Sequence, residues 1–134
     1  MYGRLDRFYS DGCKVKGIYS MSAITTEIEN YVVQIGYEST GGLGGPKSRG
    51  VIACYGQGGY ILLIYLAAPD SELATPTFDP DSKWGSINVP VSEMGNYLDV
   101  LRNESPVYLY MNSNYPQWNN IRTSKEAVGE AENC

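Results

Sequence analysis

The sequence predicts a β-rich α+β fold in a single domain over residues 1–134. Its expected form is a curled mixed or antiparallel sheet, or a small β-sandwich or barrel, of about five to seven strands with one main helix near 93–104. Three observations carry this. Apolar residues alternate with period two in several short runs, which places them on one face of a strand. Tyrosine is used 12 times against two Phe and two Trp, and Tyr suits a half-buried sheet surface where its ring packs and its hydroxyl reaches water. Fifteen Gly and seven Pro call for many turns rather than long helices.

The hairpin at 49–68 is the clearest element. Val51–Tyr55 and Tyr60–Leu66 are apolar arms separated by Gly56-Gln57-Gly58-Gly59, and glycine supplies the positive φ that a tight hairpin turn demands. The second arm is apolar at every position, so it is expected to be a central strand covered on both faces. Residues 30–38 alternate as a strand, with Tyr31, Val33, Ile35 and Tyr37 on one side, and 24–29 extend it. Residues 69–85 form a long connection with Pro69, Pro76 and Pro80. Ile87, Val89 and Val91 alternate in a further strand, with Pro90 marking an edge or a strand end.

The helix at 93–104 rests on the stripe Met94, Tyr97, Leu98 and Leu101, with Ser92 as its expected cap and Glu93 at the positive end of the dipole. Pro106 stops it. Val107, Leu109 and Met111 then share one strand face with Tyr108 and Tyr110 on the other, and Trp118–Thr123 holds a last short strand. Residues 1–23 have no clear period; 14–19 is a candidate strand. A mobile connector is expected over 39–48.

Several chemistries are removed by residue type and spacing. There is no histidine, so Ser-His-Asp and Cys-His nucleophile systems are excluded, and Cys13, Cys54 and Cys134 lack zinc-ligand spacing. Gly41–Ser48 nearly spells a phosphate loop, but Pro46 removes a backbone donor and a strand follows where a helix is needed. Asp79–Lys83 opens like a calcium loop, but Lys83, Trp84 and Pro90 stand where a ligand, a glycine and a bidentate Glu belong. It reads instead as an Asx-Pro turn before a buried Trp84. No metal and no cofactor is expected. Cys54 reads as a small buried hydrophobe.

The formal charge of −5 disfavours nucleic acid. The longest apolar run, residues 60–68, is far short of the ~20 residues of a spanning helix. With no leader-like segment at its start, the chain is expected in the cytoplasm with reduced thiols. The acidic end (Glu126, Glu130, Glu132) complements the basic start (Arg4, Arg7, Lys14, Lys16), within one copy or between two.

These features predict a non-catalytic interaction module that self-assembles or binds another protein, a homo-oligomer or a basic partner. The candidate binding residues are Tyr108, Tyr110, Asn112, Tyr115 and Trp118, an aromatic strip among Asn114, Asn119 and Asn120. The same strip could stack a sugar or a nucleotide, which makes a small-ligand binder the alternative. A third reading is a small enzyme built on Tyr and carboxylates, with Glu27, Glu29, Asp99 and Glu104 as its acids.

Overall fold

Within the residues the structure describes, short-range alternation and glycine turns build seven strands, and a bulge in the first of these sets how they assemble. The computed structural model describes residues 22–36 and 48–124. The strands are β1 (Ala23–Ile35), β2 (Ser48–Gly56), β3 (Ile61–Ala67), β4 (Thr77–Asp79), β5 (Trp84–Pro90), β6 (Val107–Asn112) and β7 (Asn120–Thr123). Helix α1 (Met94–Asn103) lies between β5 and β6. The strands form one sheet in the order β4-β5-β3-β2-β1-β6-β7. All neighbours pair antiparallel except β3 and β5, so the sheet is mixed. It curls into a half-barrel with its core on the concave side.

β1 serves both halves of the sheet. Ala23–Glu27 pairs with β6, whereas Ile28–Ile35 pairs with β2. The register shifts between Ile28 and Asn30, a β-bulge at Glu29. Before the bulge Ile24 and Ile28 pack on the core; after it Tyr31 and Val33 do. The extra residue changes the parity of the strand, bends it, and keeps both halves apolar-inward. Ile35 departs from the expected buried face: at the end of the strand, opposite Gly50, it is exposed.

The hairpin β2–β3 forms as the sequence requires. The Gly56 N–H donates to the Tyr60 carbonyl at 2.8 Å, and Gly58 and Gly59 take φ values of 81° and 85°. Ile52, Cys54, Leu62, Ile64 and Leu66 are fully buried on its concave face. Burial pushes the Cys54 thiol up to about 12, so it stays protonated near neutral pH and acts as packing. The expectation that the second arm is covered on both faces is corrected: Ile61, Leu63 and Tyr65 on the convex face are only half-buried.

The connection after β3 is shorter than expected, because part of it is sheet. Thr77–Asp79 pairs with Trp84–Ser86 as a hairpin. Asp79 Oδ1 accepts the Asp81 N–H at 3.0 Å, which is the Asx turn that the sequence implies. Trp84, however, is 50% exposed. It stands on the convex face, since its partner Ile61 does, and the concave position goes to Gly85. Pro90 ends β5 rather than marking an edge strand.

Helix α1 runs from 94 to 103 with Leu98 buried and Met94, Tyr97 and Leu101 packed against the core. Ser92 is not its cap. It lies in a 3-10 turn, Val91–Glu93, that leads into the helix without a side-chain cap. Glu104 is extended, and the Ser105–Pro106 peptide that follows is cis.

The two ends of the sheet meet across the half-barrel. A Cβ on Gly85 of β5 would collide with Met111 Sδ of β6 and lie 2.9 Å from the Thr77 carbonyl oxygen. Only glycine lets these strands approach so closely. Ala23–Ser124 forms one compact unit, and no helix among the described residues is long and apolar enough to cross a membrane. The candidate strand at 14–19, Cys13, Cys134, most of the glycine-rich connector and the two charged chain ends lie outside the described residues. β2 begins at Ser48, so a strand does follow the phosphate-loop-like segment.

Candidate interaction surfaces

The predicted aromatic strip divides into two environments. Tyr108 and Tyr110 stand on the convex face of β6, opposite buried Val107, Leu109 and Met111, as alternation requires. Tyr108 faces Glu27 and Arg122 across the ladders, and Tyr110 faces Thr25 and Asn120. Tyr110 is fully engaged within the fold. The Arg122 guanidinium lies 4.3 Å from its ring centroid, and its hydroxyl accepts from Asn112 Nδ2 at 2.9 Å. The Arg122 Nε–H in turn donates to Asn120 Oδ1 at 3.1 Å.

Asn112 is buried and organises the following turn. Its Oδ1 accepts the N–H groups of Asn114 and Tyr115, both at 2.9 Å. Its own N–H donates to Asn119 Oδ1 at 2.9 Å. Asn119, also buried, donates from Nδ2 to the carbonyls of Thr77 at 2.8 Å and Ser86 at 3.2 Å. Asn112 is therefore a scaffold residue of the loop and its side chain is not offered to a ligand.

Tyr115 and Trp118 are the exposed part of the strip. They belong to a 3-10 turn, Pro116–Trp118 after Tyr115, in which the Trp118 and Asn119 N–H groups donate to the Tyr115 and Pro116 carbonyls, both at 2.9 Å. Their rings stack at 4.4 Å between centroids with 21° between planes. Tyr115 is 48% and Trp118 53% exposed, as expected for rings that cover one face each and leave the other in water. Sequence reasoning placed all five candidates on one surface. The structure keeps Tyr115 and Trp118 together, puts Tyr108 and Tyr110 on the sheet, and buries Asn112.

A second surface was not among the sequence candidates. Across β1, β2, β3 and β5 the convex face consists of three ladder rows. They are Asn30-Tyr55-Ile61-Trp84, Val32-Ala53-Leu63-Ser86 and Gln34-Val51-Tyr65-Asn88. None of the twelve side chains is charged. Val32, Tyr55 and Trp84 are exposed, and Ile61, Leu63, Val51 and Tyr65 are half-buried. The hydroxyl of Tyr65 is held above its ordinary pKa by partial burial. Helix α1 packs on the concave side, where its apolar stripe joins the core. The signal was present in the sequence as strands apolar at odd as well as even positions. Such a pattern predicts a strand covered on both faces, whereas here the convex face is left partly open.

The carboxylates gather only in part. Glu27, Glu29 and Glu104 line an open groove of about 390 Å³ between the bulge of β1 and the end of α1, with Tyr31, Leu101 and Pro106. Asp99 lies on the exposed side of the helix, where it accepts from Asn103 Nδ2 at 2.7 Å. No set of three or more metal-ligating side chains occurs among the described residues. No protein family, curated protein or solved structure matches the chain.

Proposed function

We propose that the protein is a non-catalytic interaction module whose partner is a second copy of itself, docked through the convex face of β1, β2, β3 and β5. The observation that supports this is the charge of that face. The chain carries −5, yet the twelve-residue face has no ionised side chain and is largely apolar. Two acidic molecules repel each other over most orientations; an uncharged apolar face is where they approach at least electrostatic cost. A basic partner would find carboxylates only beyond the rim of these rows, such as Asp79 opposite Trp84. Extended apolar sheet faces pair by stacking about 10 Å apart, with the side chains of the two faces interdigitating.

The mass in solution tests this. Light scattering on the eluting wild-type protein at tens of micromolar should give a multiple of the 14.8 kDa chain. Leu63→Glu and Val32→Glu each place two like charges in a self-complementary interface, and should return the chain mass with an unchanged circular-dichroism spectrum. Val32 is 53% exposed, so its variant keeps the test valid even where Leu63→Glu perturbs folding. A wild-type protein of single-chain mass, or an oligomer indifferent to both substitutions, would sink the proposal.

A further inference from the structure

We infer that the Asn114–Trp118 corner is a binding platform for a neutral saccharide. This inference is independent of self-association, because it uses a different surface.

The corner is built before any ligand arrives. Asn112 and Asn119 anchor it through five hydrogen bonds to backbone groups, two of them to carbonyls at the far edge of the sheet. Holding two large rings half in water on a fixed loop forgoes the burial that such rings normally reach in a fold. In exchange, a ligand that lands there orders little of the protein, so little binding free energy is lost to immobilisation.

The chemistry of the corner selects among ligands. Residues 112–120 contain no ionisable side chain except the phenol of Tyr115. Arg122, two residues beyond the corner, is held over Tyr110 and bonded to Asn120, so the corner's own residues offer no positive group to a phosphate. Tyr115 and Trp118 fill the space between their own rings, so a flat base cannot be sandwiched between them. What remains is the outer face of each ring and two exposed amides, Asn114 and Gln117, each directly preceding a ring in the chain. Neither amide is hydrogen-bonded through its side chain among the described residues. An apolar ring face beside amide donors and acceptors matches a pyranose, which has a C–H face and a hydroxyl rim.

Titration calorimetry of the wild-type protein with cellohexaose, maltohexaose and chitohexaose, and with AMP as the charged planar control, tests the assignment. The expected result is saturable binding of at least one neutral hexasaccharide and none of AMP. Trp118→Ala should weaken it by about tenfold or more. Should Trp118→Ala disturb the loop, the double variant Asn114→Ala/Gln117→Ala, which changes only exposed side chains, should show a comparable loss with an unchanged melting temperature. Absence of binding to all three hexasaccharides would overturn the inference, as would AMP binding in their place. So would a saccharide affinity unaltered in these variants. A Trp118→Ala protein that loses wild-type self-association would instead assign the corner to the interface between copies, and this too would overturn it.

Discussion

Asn119 joins the two ends of the sheet with one side chain. Its Oδ1 takes the Asn112 N–H at the end of β6, and its Nδ2 serves the Thr77 and Ser86 carbonyls of β4 and β5. Replacing it by Ala strands a buried N–H and removes the donor from two part-buried carbonyls. Each such unsatisfied group costs about 1–3 kcal/mol. Asn119→Ala is therefore expected to lose about 2–3 kcal/mol in urea unfolding with an unchanged m value. A loss within experimental scatter would mean that water replaces the amide. In the sequence Asn119 reads as one more polar neighbour of an aromatic strip. An Asn is equally at home as a surface amide or a buried clamp. The choice is made by β5, far away in the chain, and no local pattern records it. Trp84 fails for a related reason. Its place on the convex face is set by Gly85 having to meet Met111 inside.

At the scale of elements, alternation and turn chemistry made the hairpin, the helix stripe and the faces of β6 legible, because each depends only on near neighbours. The bulge of β1 was legible too, in hindsight: Ile24, Ile28, Tyr31 and Val33 alternate with one step of three where a step of two belongs. Deleting Glu29 removes that step. The alternation then becomes regular and Tyr31 and Val33 stay inward, but the strand loses the extra residue that bends it between its pairing with β6 and its pairing with β2. The variant is expected to lower the melting temperature by about 5 °C or more, as a straightened β1 fits its two ladders less well. A deletion variant that melts like the wild type would show that the bulge is dispensable. Ser92 shows the converse limit. It has the residue type of a cap, but the 3-10 turn at Val91–Glu93 takes over the start of the helix.

For the molecule as a whole, the curled mixed sheet was foreseen, but its strand order was not. The parallel pairing of β3 with β5 and the shared allegiance of β1 depend on contacts between segments distant in sequence, to which periodicity is blind. The same global view bears on association. If the convex face joins two chains of charge −5, their bodies repel over a Debye length of about 14 Å at 0.05 M salt and about 4–5 Å at 0.5 M. Sedimentation equilibrium should then show association tightening severalfold as salt rises across that range. Weakening with salt would point to an ion-paired interface elsewhere.

The double pairing of β1 also dictates an order of events as the chain folds. β2 and β3 are joined by a four-residue link, so closing their ladder fixes a short loop and costs little chain entropy. The ladder between Ala23–Glu27 and β6 joins segments from opposite ends of the described chain, and it closes the largest loop in the sheet. Contacts so remote in sequence slow folding. The half-barrel therefore grows outward from its hairpin, and the seam between β1 and β6 is the last to zip.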